Sequence, residues 1–259
     1  MHVTVKFGWL ALPIMLLWAN PGHGVEIFQT AFTAEFVLKA RGTVVGRSKW
    51  SLTSTQQSVV YELESNTAGI AVLFSKDHIV ERSEWRPHGN ALKPYGYQYD
   101  RSGGKKEKHV SVDFRWEDGF VINTSRGESW QMPIPGNAID KLSYIIAMMH
   151  DLSEGQRVFE YLVADGGKLK TYTLESIGDE MLKTKIGTVD TVKVLRRRSD
   201  SKRETTFWCA PLYQYLPVKI EHREPDGEVL TGHLESVTGL AQETASSLLQ
   251  RTNIVKRAN

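Results

Sequence analysis

The sequence contains a single cysteine, Cys209, among its 259 residues. A disulfide bond within the chain is therefore excluded, and a chain of this length can bury a core without one. A lone cysteine is either a small buried apolar residue or a reactive thiol. Because Cys209 stands between Trp208 and Ala210, we interpret it as a core residue.

The chain also lacks a strong charge of either sign, with 32 basic and 30 acidic residues. Nucleic-acid-binding proteins usually carry a basic face, so near-neutral charge argues against a nucleic-acid partner. The histidines after residue 24 show neither His-x-His nor His-Glu-x-x-His spacing, and we predict no metal site and no cofactor.

Motifs of catalysis are missing as well. There is no Gly-x-Ser-x-Gly stretch of the kind that carries the nucleophile of α/β-hydrolases. The glycine pairs 103–104 and 166–167 lie in predicted hairpin turns and not between a strand and a helix, so we do not expect them to cradle a phosphate. The sequence predicts no catalytic residue, and we expect a protein that is not an enzyme.

No apolar run is long enough to cross a membrane. The longest spans residues 7–18, about a dozen residues interrupted by Pro13, whereas a bilayer needs about 20. Lys6 precedes this run and small residues up to Gly24 follow it, the pattern of a cleaved export signal. We predict a signal peptide over residues 1–24 and a periplasmic protein that does not span the membrane; a retained membrane anchor is the alternative.

One strong helix signal follows, over residues 139–152. Its apolar residues are spaced by three and four positions, which places them on one face. Asn137 is the expected N-cap, Asp140 should lie at the positive helix end, and Gly155 should end the helix. At about fourteen residues the helix is too short for a membrane, so we expect a sheet to cover it.

Most of the remaining chain alternates between apolar and polar residues with period two, beginning at residues 32–40. Hairpin turns recur, among them Asp118-Gly119 and a predicted turn at Gly178-Asp179. The apolar segment 70–74 should be covered on both sides or lie at an opening. The sequence therefore predicts a mainly β fold: a strongly bent antiparallel sheet or incomplete barrel of about a dozen strands with one central helix. It should form a single domain over residues 25–238, followed by a polar tail over 239–259.

Three stretches resemble an uncharacterised family of exported Gram-negative proteins, the domain of unknown function 3108. They are Trp85 with the following Leu92-Lys93-Pro94-Tyr95-Gly96-Tyr97, the opening of the predicted helix at residues 139–143, and Tyr215-Leu216-Pro217-Val218-Lys219-Ile220 with the later Asp226-Gly227. The resemblance covers residues 30 to 238 approximately and implies no activity. In architecture the prediction is also similar to the periplasmic lipoprotein-carrier proteins, which hold acyl chains in a half-barrel.

A ligand cavity is one interpretation of the apolar interior, and a packed core is the other. On the strand that carries Trp50 the residue Gly46 leaves room, and adaptable methionines on the helix suit varied apolar ligands. The candidate cavity residues are Phe36, Leu38, Gly46, Trp50, Tyr61, Phe114, Trp116, Ile145, Met148 and Met149.

Two basic clusters at predicted hairpins are candidates for contact with a membrane surface or an anionic lipid. They contain Lys105 and Lys106, and Arg196, Arg197 and Arg198. The other interpretation is that they are solvated hairpin tips that discourage edge pairing. Our leading hypothesis is a periplasmic binding protein for an apolar or acylated molecule. A protein–protein interaction module of the cell envelope and an enzyme whose site is not visible in motifs are the alternatives.

Overall fold

The computed structural model describes residues 30–88, 91–104 and 106–240, with only the backbone of residue 91. The predicted signal peptide, residues 1–24, lies outside the described residues, as do residues 241–259 of the predicted tail. Both therefore stay predictions.

The described residues form one sheet of 15 strands in the order β8-β7-β6-β5-β4-β3-β2-β1-β15-β14-β13-β12-β11-β10-β9. The strands are β1 Phe32–Ala40, β2 Thr43–Ser54, β3 Val59–Thr67, β4 His78–His88, β5 Ala91–Ser102, β6 Lys108–Arg115, β7 Phe120–Ser125, β8 Glu128–Pro133, β9 Ile139–Asp140, β10 Val158–Asp165, β11 Lys168–Thr184, β12 Gly187–Arg198, β13 Ser201–Ala210, β14 Leu216–Arg223 and β15 Val229–Thr238. The helix α1 spans Ser143–Ser153, and 3-10 turns occupy Gly69–Leu73 and Pro211–Tyr213.

The alternation of the sequence decides which face of the sheet is buried. In β2 the side chains of Ser48, Trp50 and Leu52 are buried, while those of Arg47 and Lys49, which point to the other face, are exposed. Successive side chains of a strand point to opposite faces, so one face of every long strand contributes to the interior. The mainly β fold predicted from the sequence is confirmed.

The sheet curves around α1. Ser83 on β4 donates a hydrogen bond to Asp140, three residues before the helix, and Arg196 on β12 donates one to Tyr144 within it. In the sheet, β4 and β12 lie on opposite sides of the β1–β15 pair. One short helix can touch both strands only if the sheet bends strongly between them, as predicted.

The two ends of the sheet approach each other without closing it. The end strands β8 and β9 do not pair with each other. Instead, the ring of Trp130 on β8 lies over the β10–β11 turn, where a Cβ atom on Gly167 would be 2.3 Å from the Trp130 Cζ2 atom. Gly167 has φ +73, a conformation that glycine adopts at little cost. A side-chain contact thus joins the two ends of the incomplete barrel.

The helix is shorter than predicted because its expected first turn is partly strand. Ile139 and Asp140 pair in parallel with Val163 and Ala164 of β10, and α1 begins only at Ser143. Asn137 is not the N-cap. The carboxylate of Asp140 takes the capping role instead, as it accepts hydrogen bonds from the backbone N–H groups of Leu142 and Ser143 at 2.8 and 2.9 Å.

One other local expectation was wrong. Gly178-Asp179 is not a turn: the register with β12 shifts between Ser176 and Gly178, and β11 continues as one strand through this bulge. Bulges insert one residue and bend a strand without ending it. The segment 70–74 forms a 3-10 turn at an edge of the sheet. This position agrees with the prediction that the segment lies at an opening, and not with the alternative that it is covered on both sides. Within the described residues, no helix has the length and apolar character needed to cross a membrane.

Candidate ligand-binding site

Polar and charged side chains in the interior gather toward one edge of the sheet. Because the paired strands are antiparallel, the connections that follow β1, β3, β5, β7, β10, β12 and β14 lie along the same edge. We call the side on which these connections lie the upper edge and the opposite side the lower edge. Both terms refer to the ends of the strands and not to the outermost strands β8 and β9. The helix begins near the upper edge, since Asp140 pairs with Ala164 next to the β10–β11 turn.

The first group is a closed network around Asp140, which is fully buried. Its carboxylate accepts hydrogen bonds from the Ser143 hydroxyl and, at 2.6 Å, from the Ser83 hydroxyl, in addition to the two backbone N–H groups. The indole of Trp85 donates to Ser83 at 2.7 Å. Burial raises the pKa of Asp140, although these hydrogen bonds act against it. The network anchors the start of α1 to β4.

The second group surrounds Glu81, on the same interior face of β4. The Tyr97 hydroxyl donates to Glu81 at 2.7 Å, and the ammonium of Lys141 lies 3.3 Å from the same carboxylate. Lys141 also lies 5.4 Å from the ring centre of Tyr99. Burial acts to lower the pKa of Lys141, but the carboxylates of Glu81 and Asp165 outweigh it and the pKa is raised. Lys141 therefore stays charged near the upper edge.

The third group is centred on Asp165 at the end of β10. Lys170 and Tyr172 donate to its carboxylate at 2.8 and 3.0 Å, and Arg198 lies 3.4 Å away. Burial alone would raise the pKa of Asp165, but the hydrogen bond and charge of Lys170 hold it below its usual value. This carboxylate is ionised and fully engaged with cations.

Arg196 on β12 is different, since it is a buried cation that has no anion beside it in the described part of the chain. The residue is 9% exposed. Its Nη1 atom donates to the Tyr144 hydroxyl at 3.2 Å and its Nη2 atom to Thr205 Oγ1 at 2.8 Å. The guanidinium carbon lies 4.9 Å from the ring centre of Tyr172. Among the described residues no carboxylate forms an ion pair with Arg196, and its Nε atom has no hydrogen-bond partner.

The contacts behind Arg196 keep the neighbouring histidine neutral. Thr205 accepts from Arg196, which leaves its own hydrogen free to bond the Nδ1 atom of His222 at 2.9 Å. The other ring nitrogen of His222 lies 3.4 Å from the carboxylate of Glu224. Burial and then the charge of Arg196 lower the pKa of His222. The positive charge at this place therefore belongs to Arg196.

Residues 32–235 match the family described as Protein of unknown function (DUF3108). The chain belongs to this family. The family resemblance predicted from the sequence is thereby confirmed, and it establishes no activity. No curated protein shows significant similarity to the chain.

Several solved structures are similar to this DUF3108 chain, and two of them are described here. One is a beta-barrel-like protein of the domain of unknown function DUF1849 from Brucella abortus, with 10% sequence identity and a TM-score of 0.54 over 81% of this chain and 98% of that one. This likeness supports the incomplete barrel and nothing about function. The other is a protein with a YmcC-like fold from Bacteroides fragilis, with 10% identity and a TM-score of 0.32 over 81% of this chain and 96% of that one.

The predicted cavity residues of the DUF3108 domain mostly lie in a packed interior. Seven of them are fully or almost fully buried, namely Phe36, Trp50, Tyr61, Phe114, Ile145, Met148 and Met149. Leu38 and Trp116 are partly buried against the same core. A Cβ atom on Gly46 would lie 3.0 Å from the carbonyl oxygen of Asn66 and 3.2 Å from Leu38. An acyl chain among these residues stays a prediction, and it requires side chains to move.

The predicted basic clusters divide between the two faces. Arg196 points inward, whereas Arg197 is exposed and paired with Glu204 at 3.0 Å. Arg198 belongs to the Asp165 group. Lys106 lies on the surface at the upper edge, and Lys105 falls outside the described residues.

Sequence reasoning missed the interior polar residues of β4, Glu81 and Ser83. Their signal was present, because both share a face with the apolar Ile79 and Trp85, where an inward polar side chain needs a partner. The partners, Lys141 and Asp140, lie far away in the chain and could not be identified from spacing. Within the described part of the chain, no group of His, Cys, Asp or Glu residues could hold a metal ion.

Proposed function

We propose that this protein is a non-enzymatic binding protein of the bacterial periplasm, and that Arg196 receives the anionic head group of an acylated ligand. The single observation that supports the proposal is the buried, uncompensated guanidinium of Arg196. The periplasmic location rests on the signal peptide predicted from the sequence.

The energetic argument begins with desolvation. Moving a cation from water into a protein interior is costly unless an anion or several hydrogen bonds replace the water. Arg196 keeps two hydrogen bonds and the face of an aromatic ring, but its charge is not neutralised. A bound carboxylate or phosphate would supply the missing charge and a partner for the Nε atom, in the planar geometry that guanidinium groups favour.

The site is also preorganised. Tyr144 on α1, Thr205 on β13 and Tyr172 on β11 hold the guanidinium from three directions. A group fixed before binding loses little conformational entropy when the ligand arrives. The acyl part of the ligand is supported less directly. It would enter the core along α1 and displace flexible side chains such as Met148 and Met149, which are adaptable but buried in this structure.

Calorimetric titration with dodecyl phosphate, inorganic phosphate and dodecanol tests the proposal. The wild type should bind dodecyl phosphate more tightly than either of the other two. Arg196→Met keeps the bulk of the side chain and should weaken binding of dodecyl phosphate by about tenfold or more, the value of a charge-assisted hydrogen bond. Arg197→Met is the matched control, because it removes the neighbouring arginine from the outer face.

Thermal melting separates a ligand-binding arginine from a structural one. A buried charge without an anion is costly, and its removal offsets the loss of the hydrogen bonds to Tyr144 and Thr205, so the melting temperature of Arg196→Met should be unchanged or higher. Equal binding by Arg196→Met and the wild type would refute the role of Arg196. Binding of dodecanol as tight as that of dodecyl phosphate would refute the anionic head group.

The second candidate function is binding of a protein segment at the edge of β8. This six-residue strand, Glu128–Pro133, is bonded to β7 on one side and is the end of the sheet on the other. Such an edge can pair with an extended segment of another chain. A photo-crosslinker at Gln131, activated in the periplasm, should then capture one defined partner, whereas the same group at Lys183 on β11 should not.

A further inference from the structure

The upper edge carries a compact group of exposed apolar side chains. In the 3-10 turn and the residue after it, Ile70 is 57% exposed, Leu73 80% and Phe74 76%. Elsewhere among the described residues, large exposed apolar side chains are dispersed along strands. Single exposed apolar residues are normal in soluble proteins, but a group of them marks a contact site.

This apolar turn is held firmly against the sheet. The backbone N–H of Ala68 donates to the carbonyl of Val45 at 3.0 Å, and that of Thr67 donates to the carbonyl of Asp77 at 3.0 Å. Gly69 has φ +63, and a Cβ atom there would lie 2.5 Å from the carbonyl oxygen of Val44. The exposed side chains therefore project from a fixed support.

The β5–β6 hairpin packs directly beside the apolar turn. A Cβ atom on Gly103 would lie 2.3 Å from the carbonyl oxygen of Lys76. Arg101 holds the two segments together, since its Nε and Nη2 atoms donate to the Asp77 carboxylate at 2.7 and 2.8 Å. These hydrogen bonds keep the pKa of Asp77 below its usual value, so the pair is charged at neutral pH.

The hairpin and its neighbour supply positive charge next to the apolar side chains. Lys76, Lys106, Lys108 and Arg126 are all exposed, and Glu107 is the acidic residue among them. A groove of about 270 Å³ runs between the β5–β6 and β7–β8 hairpins. It is lined by Arg101, Lys106, Glu107, Lys108, His109, Arg126 and Gly127.

We propose that the apolar turn and the basic hairpins together form a docking surface for an anionic lipid bilayer. Leu73 and Phe74 would insert at the level of the lipid head groups, while Lys106, Lys108 and Arg126 contact lipid phosphates. The combination of apolar and basic side chains matches the chemistry of that interface. This proposal does not depend on ligand binding at Arg196.

The position of the surface favours a bilayer over the rest of this chain as the occupant. Both ends of the main described region lie at the lower edge, where a Cβ atom on Gly239 would be 2.2 Å from the carbonyl oxygen of Ala31. The docking surface lies at the upper edge. Neither end of the described region therefore lies next to the docking surface.

Vesicle flotation with the wild-type protein tests the proposal. The probes are vesicles of phosphatidylcholine and vesicles of phosphatidylcholine with phosphatidylglycerol at a ratio of about 7:3. The wild type should float with the phosphatidylglycerol vesicles and much less with pure phosphatidylcholine, and 0.5 M salt should weaken the binding, since surface charges are screened at about that concentration.

Two double variants separate the apolar and electrostatic contributions. Leu73→Ser with Phe74→Ser should reduce the partition coefficient by more than about tenfold, since two exposed apolar side chains no longer insert. Its control is Ile177→Ser with Met181→Ser on β11, where the side chains are also exposed (47% and 69%). The substituted residues are exposed in both variants, so folding should be preserved, and a thermal melt checks this.

Lys106→Glu with Lys108→Glu should reduce binding to phosphatidylglycerol vesicles by more than about twentyfold, because each basic residue near an anionic surface contributes about fivefold. The control, Arg157→Glu with Lys183→Glu, makes the same change in net charge away from the upper edge. Absence of wild-type binding to phosphatidylglycerol vesicles would overturn the proposal. Equal losses in the test and control variants would overturn it too, because net charge or general hydrophobicity would then explain the binding.

Discussion

Substitution of Asp140 should show how much stability the start of the helix derives from one buried carboxylate. Asp140→Ala removes the acceptor of two backbone N–H groups at the N-terminus of α1 and of the hydroxyls of Ser83 and Ser143. Loss of an N-cap acceptor costs about 1 kcal/mol. A buried hydroxyl left without its partner costs about 1–3 kcal/mol.

Two features make the total loss of stability smaller than the sum of these costs. The hydroxyl oxygens of Ser83 and Ser143 lie 3.0 Å apart, so they can bond to each other and only one partner is lost. Burial raises the pKa of Asp140, which means that folding disfavours its charged form and that removal of the charge recovers part of the loss. We expect Asp140→Ala to lower the free energy of unfolding by about 2–3 kcal/mol, or the melting temperature by about 5–10 °C for a domain of this size.

Asp140→Asn should lower the free energy of unfolding by less than about 1 kcal/mol, because the amide keeps an acceptor for the two N–H groups and can donate to the serine hydroxyls. Urea unfolding at pH 7 measures both variants, with exposed Asp190→Ala as the control. Because the folded-state pKa of Asp140 is raised, the wild type should gain stability relative to Asp140→Asn as the pH falls through that pKa. Equal melting of Asp140→Ala and wild type, or an asparagine variant less stable than the alanine variant, would refute this reasoning.

Two further predictions concern the core and the pH dependence of stability. Ile145→Asp places an unpaired carboxylate in the buried face of α1 and should destabilise the protein by several kcal/mol in urea unfolding, whereas Val158→Asp at an exposed position should change it little. The lowered pKa of His222 means that the unfolded chain binds this proton more readily, so stability should fall as the pH decreases below 6.5. His222→Gln should make thermal melts less dependent on pH in that range; a slope identical to that of the wild type would contradict the assignment.

The main features of the fold could be predicted because they depend on local periodicity. Alternation within strands and the three-and-four spacing of α1 are visible in any short window of sequence. The start of the helix was placed too early because Ile139 and Asp140 satisfy the helical pattern equally well. What excludes them from the helix is pairing with Val163 and Ala164, a contact with residues well separated in the chain.

The interior site was predictable in part. Arg196 shares its face with Val192 and Val194, so strand alternation alone separates it from the exposed Arg197. Grouping the three arginines as one surface cluster was therefore an avoidable simplification. The contact between Lys141 and Glu81, in contrast, depends on how the sheet curves around the helix, and no local pattern carries that information.

The position of the β1–β15 ladder has a consequence for how this chain folds. The ladder joins residues far apart in the sequence, such as Glu35 and Ser236. On either side of it, strands β2 to β8 and β10 to β14 form meanders of neighbouring hairpins, which need only short-range contacts to assemble. Two separate half-sheets can therefore form early, but β1 must find β15 before they become one structure. Such long-range pairing folds slowly. During synthesis the sheet cannot be completed until β15, the last described strand, has been made, and the two half-sheets stay unjoined until then.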